Sequence, residues 1–526
     1  MASPELVRHL AQISREISRQ VGVLVNRQGA VRRVIVGDAR QLMLPDIGRL
    51  RGGPGRFRGL RLVHTHLNGE ALSKDDLNDL ALLRLDMVAM IEATKEGDAG
   101  RVEVAYVDPS SIAADDEDEV VEPFVRVEAR DIFALDLDVD ATMRALEEEL
   151  SRLTRGRAGR ADRERALVLG VTPDDQRFAE TVELVRSAGL DIGGTVRQKR
   201  SRIHPRTVVG PGKLTDIVLE GMRTGSDVAI FDIDLKPAQS RAFEDATGLK
   251  AIDRTQLILD VFAQRAKSRD GKLQVELAQL KYSLPRLTEK DAGLSRLAGG
   301  IGGRGPGETV LEVGRRRVRD RIRSLEVQIE KLSKQRDVRR RRRRESYLPI
   351  LSIVGYTNAG KSTLLNAMTN SEVEAEDKLF MTLDPTSRRL RFPSEGEVVI
   401  TDTVGFIADL PPDLLTAFRA TLEELADADL LLHVLDAADP LLEAKKDAVD
   451  ALLDELDLGE IDQLVALNKA DLLPEDQVAA LVRRHDGVAT SAVARTGLRE
   501  LIDEAERRLC RTRPLLPYEA PLEQPN

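Results

Sequence analysis

The chain has little of the material from which disulfides, stacking platforms or membrane spans are built. Its 526 residues include one cysteine, Cys510, so no internal disulfide can form, and a reducing, cytoplasmic setting is expected. Tryptophan is absent and aromatic residues make up 3%, which argues against a base-stacking platform for nucleic acid. No uninterrupted apolar run reaches membrane-spanning length. The start, Met1-Ala-Ser-Pro-Glu-Leu-Val-Arg-His9, lacks the basic-then-apolar order of a secretory signal, so no membrane partner is expected. What is present is 42% hydrophobic and 32% charged residue, enough for several cores in a chain long enough for about three or four domains. The net charge of −10 is unevenly spread: Ala114-Asp-Asp-Glu-Asp-Glu119 is acidic, whereas Arg339, Arg340, Arg341, Arg342, Arg343 and Arg344 form an unbroken basic tract. Overall acidity therefore does not exclude a nucleic-acid partner.

The most specific stretch is Gly355-Tyr356-Thr357-Asn358-Ala359-Gly360-Lys361-Ser362, a G-x-x-x-x-G-K-S phosphate loop. It stands between the short apolar run Leu348–Val354, read as a strand, and Thr363–Met368, read as a helix, which is the order the motif requires. Its glycines let successive N–H groups face phosphates, Lys361 adds a point charge, and the Ser362 hydroxyl can ligate Mg²⁺. Further boxes follow in order. Lys378-Leu-Phe380-Met381-Thr382-Leu383-Asp384-Pro-Thr386 offers Thr382 to Mg²⁺ and a γ-phosphate. A strand ending in Asp402-Thr403-Val404-Gly405 supplies a carboxylate for a Mg²⁺-bound water and a glycine N–H for the γ-phosphate. Asn468-Lys469-Ala470-Asp471 ends another strand. The Asp471 carboxylate can accept from guanine N1–H and N2–H₂, a pair adenine does not offer. Ser491 and Ala492 can close over the base edge. These boxes imply GTP as the substrate and GTP hydrolysis as the expected activity. Phe406 occupies the place where many GTPases carry a water-positioning glutamine, so hydrolysis is expected to be slow until a partner supplies the missing group.

The rest of the chain is organised around this domain. Val21–Val25 and Arg33–Val36 read as strands joined by a turn at Asn26–Gly29. His64-Thr-His66, followed by Ser73 and Asp76, puts two imidazoles on one side of an extended segment, with an aspartate at a helix start that can complete a zinc site. A charged helix from about Ala141 leads into the Gly/Arg-rich stretch Arg155–Arg160, where a boundary belongs. Beyond it strands alternate with helices up to about residue 252, the pattern of a small parallel α/β sheet. A helical region from Gln256 to Leu284, a glycine-dense loop and a helix with Val318, Ile322, Leu325, Ile329 and Leu332 at heptad spacing form a coiled-coil-like hairpin. Consecutive arginines at its end gain nothing from packing, which favours a polyanion partner over a solvated face.

From about Ala166 to Arg511 the chain resembles HflX-type GTPases. The resemblance rests on the phosphate loop extended to Leu364, Phe380–Thr386, Asp402–Ile407, Arg304-Gly305-Pro-Gly307-Glu-Thr309 and the helical hairpin, with Met381 and Val310 departing from the usual alanine and glutamine. It implies association with the ribosome, chiefly the large subunit, and splitting or rescue of stalled ribosomes under stress. It also makes Gly302, Gly303, Arg304, Gly305, Gly307 and Arg339–Arg344 candidate rRNA contacts. The stretch around His64 resembles the metal motif of JAMM/MPN hydrolases, which implies Zn²⁺ held by His64, His66 and Asp76 with Glu16 as general base. The gap to Ser73 and Asp76 is one residue short and Leu67 replaces the usual proline, so a working site, the same fold without activity and plain structural histidines stay open.

The expected fold is α/β: a P-loop GTPase domain preceded by a small parallel α/β subdomain with a helical hairpin, plus an N-terminal α+β extension. The divisions are 1–135 for the extension, 136–163 for a helical linker, 164–252 for the small subdomain, 253–345 for the hairpin, 346–512 for the GTPase and 513–526 for a tail. The leading function is a Mg²⁺-dependent, ribosome-stimulated GTPase, expected to be a monomer. The alternatives are a zinc hydrolase regulated by the GTPase, and an rRNA-binding adaptor indifferent to nucleotide.

Overall fold

The computed structural model describes residues 2–44, 57–108, 123–156, 164–198, 203–266, 268–287, 310–344, 348–369, 386–392, 397–402, 406 and 423–512. These fall into two compact units, Met1–Arg254 and Thr255–Asn526. Among the described residues no helix is long and apolar enough to cross a membrane.

The first unit opens with α1 (Pro4–Ile17), whose N-cap Ser3 accepts from Leu6 N–H and whose first turn carries Pro4. Then come β1 (Val21–Asn26), β2 (Val31–Val36), β3 (Leu60–His66), α2 (Lys74–Leu82), β4 (Met87–Ala93), β5 (Ala99–Val107), β6 (Phe124–Ala129) and α3 (Val139–Gly156). The strands form one sheet in the order β2-β1-β3-β4-β5-β6, with β3 and β4 parallel and the other neighbours antiparallel. The β1–β2 turn closes because Asn26 Oδ1 accepts from Ala30 N–H at 2.8 Å. Inner strands β1 and β4 are buried on both faces and read as continuous apolar runs, whereas edge strand β2 exposes every residue except Ile35.

Further along lie β7 (Arg165–Gly170), α4 (Asp175–Ser187), β8 (Asp191–Arg197), α5 (Pro211–Thr224), β9 (Val228–Phe231), α6 (Pro237–Thr247) and β10 (Lys250–Ile252). Their four strands are all parallel, in the order β10-β9-β7-β8. Helix α5 explains why both sheets belong to one unit. Leu214 and Ile217 enter the core of the parallel sheet, while Val218, Leu219 and Met222 enter the core of the N-terminal sheet. A helix with apolar side chains on two faces has to be covered on both. Each such side chain contributes roughly 1.5–3 kcal/mol on burial, and Thr215 on the same helix donates to Asn78 Oδ1 of α2 at 2.7 Å.

In the second unit the helical pattern resolves into α7 (Arg254–Arg265) and α8 (Arg269–Ser283), because Ser268 caps a new start by accepting from Gly271 N–H. Helix α9 (Val310–Arg344) runs for 35 residues. Leu273, Leu277, Leu280 and Leu284 pack against Val318, Ile322, Leu325 and Ile329, so the heptad seam is internal hairpin packing. The flanking pairs Lys281–Glu326 and Arg321–Glu276 are exposed and add little.

The remaining elements are β11 (Ile350–Val354), α10 (Lys361–Thr369), β12 (Thr386–Arg391), β13 (Glu397–Asp402), β14 (Leu430–Asp436), α11 (Leu442–Glu455), β15 (Gln463–Asn468), α12 (Glu475–His485), β16 (Val488–Ala489) and α13 (Leu498–Thr512). Sheet order is β12-β13-β11-β14-β15-β16, with only β12 antiparallel to its neighbour. Order reverses at β11, whose partners are β13 on one side and β14 on the other. In such a sheet the crevice beyond the carboxyl ends of the strands at the reversal is where a ligand fits. The residues at those ends are Val354, Asp402, Asp436 and Asn468.

Candidate nucleotide-binding site

The phosphate loop leaves β11 through two positions that only glycine suits. Gly355 has φ +147°, and a Cβ there would lie 2.3 Å from the Val434 carbonyl oxygen. Gly360 has φ +87°, and a Cβ there would meet Asn468 Nδ2 at 2.3 Å. Between them Asn358 takes φ +63°, a conformation asparagine tolerates better than most residues. Lys361 opens α10 with 7% exposure, and its ammonium donates to the Gly355 and Tyr356 carbonyls at 3.0 and 2.8 Å. The loop thus holds one positive charge in its own hollow, beside the first N–H groups of a helix, which is a site for an anion. Ser362 follows in the same first turn.

Asn468 does more than end β15. Its side chain is 2% exposed; Nδ2 donates to the Ala359 carbonyl at 2.9 Å, and Oδ1 accepts from Ala492 N–H at 3.1 Å. It therefore ties the phosphate loop to the Ser491-Ala492 segment. Lys469 adopts φ +60° and reaches Asp436 at the end of β14, 2.7 Å away. Asp471 sits exposed in a single 3-10 turn (Ala470–Leu472), and the Ala470 N–H donates to the Thr490 carbonyl at 3.1 Å. The segments bearing Asn468, Asp471 and Ser491 are thereby clamped together next to the loop. Asp436 is a site residue that motif reading misses; the available signal is its place at the end of a strand beside the sheet reversal.

Asp402 ends β13, and its backbone pairs with Ile353. Phe380, Met381, Thr382, Leu383, Asp384, Thr403, Val404 and Gly405 lie outside the described residues. So do Gly302, Gly303, Arg304, Gly305 and Gly307, while Arg339–Arg344 form the last turns of α9. Phe406 is joined to the loop by its backbone: its carbonyl accepts from Thr357 N–H at 2.7 Å, and its N–H donates to the Gly355 carbonyl at 3.2 Å. Its side chain is buried at 2% exposure, in no position to hold a water by hydrogen bonding. Behind β11, His433 of β14 is sealed in the core; burial pushes its imidazole down to about 4, outweighing the charge of Asp450.

In the first unit the alternation of β3 sends His64 and His66 to one face and Thr65 to the other. The imidazole Nε2 atoms are 3.0 Å apart, and Asp76 Oδ1 is 3.3 Å from His64 Nε2. A capping box at the start of α2 fixes Asp76, whose Oδ2 accepts from the Ser73 N–H and hydroxyl, both at 2.7 Å. Burial by itself would raise the Asp76 carboxyl, but the His64 and Ser73 hydrogen bonds outweigh it and hold the group well below the usual range. Burial, with the neighbouring His64, lowers His66. One turn on, burial and the Asp76 and Asp75 charges push Asp79 up to about 6. Glu16, the base implied by the JAMM/MPN resemblance, is not brought to this cluster. Its carboxylate accepts from Gln12 on the exposed side of α1, and α1 packs through Ser14 on Thr65, the opposite face of the sheet. A residue on the helix covering one face cannot serve ligands on the other.

Three family models match in sequence order: "GTP-binding GTPase N-terminal" over residues 175–263, "GTP-binding GTPase Middle Region" over 265–343 and "50S ribosome-binding GTPase" over 350–469. The GTPase HflX of Caldanaerobacter subterraneus subsp. tengcongensis is 45% identical over 366 residues, 69% of this chain and 85% of that protein. The GTPase HflX of Escherichia coli is 48% identical over 302 residues, 57% of this chain and 71% of that protein. Among solved structures, a GTP-binding protein from Sulfolobus solfataricus in complex with GDP is 24% identical, with a TM-score of 0.40 over 66% of this chain and 99% of its own.

Proposed function

Taking as premise that the chain belongs to the HflX family of GTPases, we propose that it is a switch timed by GTP hydrolysis on the large ribosomal subunit, acting to split or rescue stalled ribosomes under stress. In this reading the N–H groups of Gly355–Ser362 and the Lys361 ammonium hold the β- and γ-phosphates. The residues fit a Mg²⁺ ion by the chemistry of their oxygen donors: Ser362 and Thr382 would hold it directly and Asp402 through water. When bound, the ion would supply positive charge against the phosphate oxygens. Thr382 and the Gly405 N–H report the γ-phosphate. Asp471 reads the guanine, and Ser491 and Ala492 close over its edge.

The observation that carries the timing is Phe406. With its backbone joined to Gly355 and Thr357 and its side chain buried, it cannot orient an attacking water. The chain needs a partner for rapid turnover. The description of the 350–469 family model supports the large subunit as that partner. Gly302, Gly303, Arg304, Gly305 and Gly307, with the arginines 339–344, would meet rRNA, and the protein would work as a cytoplasmic monomer. The divisions at residues 135, 163, 252, 345 and 512 belong to this proposal too.

GTP turnover with and without purified large subunits tests it. Stimulation of at least about tenfold, a barrier lowered by some 1.4 kcal/mol, is expected. Binding to subunits should be tighter with a non-hydrolysable GTP analogue than with GDP. Equal binding in the two nucleotide states, or full-rate turnover by the chain alone, overturns the reading.

A further inference from the structure

We propose that His64, His66 and Asp76 form a binding site for one divalent transition-metal ion of the zinc type, with three protein ligands and one coordination position open. The proposal concerns the first unit and does not depend on the nucleotide reading.

The Glu70 carbonyl, 3.0 Å from His66 Nδ1, can only accept, so His66 carries its proton on Nδ1 and presents a lone pair at Nε2. That lone pair, His64 Nε2 and the Asp76 carboxylate point at one another. His64 Nε2 lies 3.0 Å from the first and 3.3 Å from Asp76 Oδ1, so at most one proton is shared among the three. A cation at the centre satisfies all three electron-rich atoms at once.

Distances agree with such an ion. A tetrahedral site with metal–ligand bonds of 2.0–2.1 Å places neighbouring ligand atoms about 3.3 Å apart. The observed separations are 3.0 Å between the two Nε2 atoms, 3.3 Å from His64 Nε2 to Asp76 Oδ1 and 3.8 Å from His66 Nε2 to Asp76 Oδ2. The donor atoms of the three residues lie within 4.8 Å of one another. The supporting contacts are also those of a metal site. A carbonyl orients one imidazole and Ser73 orients the carboxylate, so two ligands are aimed before any ion arrives. Imidazole and carboxylate without thiolate suit zinc, cobalt or iron and disfavour magnesium and calcium, which prefer oxygen alone. Three protein ligands leave a fourth position for water or a substrate atom. No carboxylate from α1 reaches that position, since Glu16 stands on the opposite face of the sheet.

The test uses the full chain without a histidine tag, held in excess Mg²⁺ and GDP so that the nucleotide site is filled, and titrated with Co²⁺. One equivalent is expected to give the intense visible absorption of a four-coordinate ion, and Zn²⁺ should displace it. His66→Gln and Asp76→Asn should weaken binding by more than the about 10–100-fold typical of losing a supporting contact, and Ser73→Ala by that amount. Wild-type hydrogen exchange over β1, β3 and β4 should persist in all three variants, which shows that the unit carrying the site has folded. Absence of binding by the wild-type chain overturns the proposal whatever the variants do. So does binding undiminished in H66Q, or the weak spectrum of a six-coordinate ion.

Discussion

Replacing Asn468 by alanine removes two hydrogen bonds from a place where water cannot replace them. Ala359 is 2% exposed and Ala492 is 7% exposed, so the carbonyl of the first and the N–H of the second lose their partner inside the protein. Each buried group left unpaired costs about 1–3 kcal/mol, which puts the total at roughly 2–6 kcal/mol. That is a large share of the ~5–15 kcal/mol that ordinarily separates folded from unfolded chains. The effect on ligand binding follows from position. Asn468 joins the phosphate loop to the segment that closes on the base, so without it nucleotide must order both segments as it binds. An affinity loss of at least about tenfold, 1.4 kcal/mol, is expected. Asn468→Asp separates the two halves. A carboxylate still accepts from Ala492 N–H but has no hydrogen for the Ala359 carbonyl. Titration with a fluorescent GDP analogue reads the affinity, and hydrogen exchange reads the segments. N468A should lose amide protection at both 355–362 and 490–494, N468D chiefly at the first. Affinity within twofold of wild type, with unchanged exchange at both segments, would refute the strut.

Four further outcomes are expected. Gly360→Ala forces a Cβ onto Asn468 Nδ2 at a φ of +87°; strain of about 1–2 kcal/mol plus the displaced strut should abolish tight GDP binding in the same titration. Asp471→Asn should move preference from GTP toward XTP, which carries an acceptor where guanine carries its amino group; unchanged competition between the two nucleotides would refute the assigned role. Phe406→Gln should not restore rapid intrinsic hydrolysis, because the side chain at this position is buried; a tenfold faster single turnover without ribosomes would contradict that. Between the ordinary 6.5 of histidine and the depressed value of about 4 at His433, the unfolded chain binds a proton that the folded chain refuses. Stability of the nucleotide domain should therefore fall as pH drops through that window, by about 3 kcal/mol at its acid end. His433→Gln should flatten the dependence of the denaturation midpoint between about pH 7 and about pH 5.

How far the sequence could be read depended on whether a feature is local. Gly355–Ser362 is legible because loop, strand and helix are contiguous, and their glycines answer to backbone geometry that a short stretch fixes by itself. The seam of α9 is legible for the same reason, since Val318, Ile322, Leu325 and Ile329 repeat at helical spacing. The order of strands about β11 is not, because parallel neighbours lie far apart in sequence and only the finished sheet reveals the reversal. Asp436 and the strut at Asn468 are casualties of that distance: the contact from Asn468 to Ala359 spans 109 positions.

Glu16 shows the opposite failure, in which a motif supplies a residue that the fold does not deliver. Order along the chain places it ahead of β1, where a metal hydrolase would want a base. The side of the sheet decides otherwise, because Ser14 bonds Thr65, and Thr65 alternates with His64 and His66 along β3. Period-two alternation is the reason His64 and His66 converge, and it is equally the reason that anything on α1 is excluded from them. A cluster that can gather an ion but has no base from α1 is better suited to holding that ion than to activating water on it.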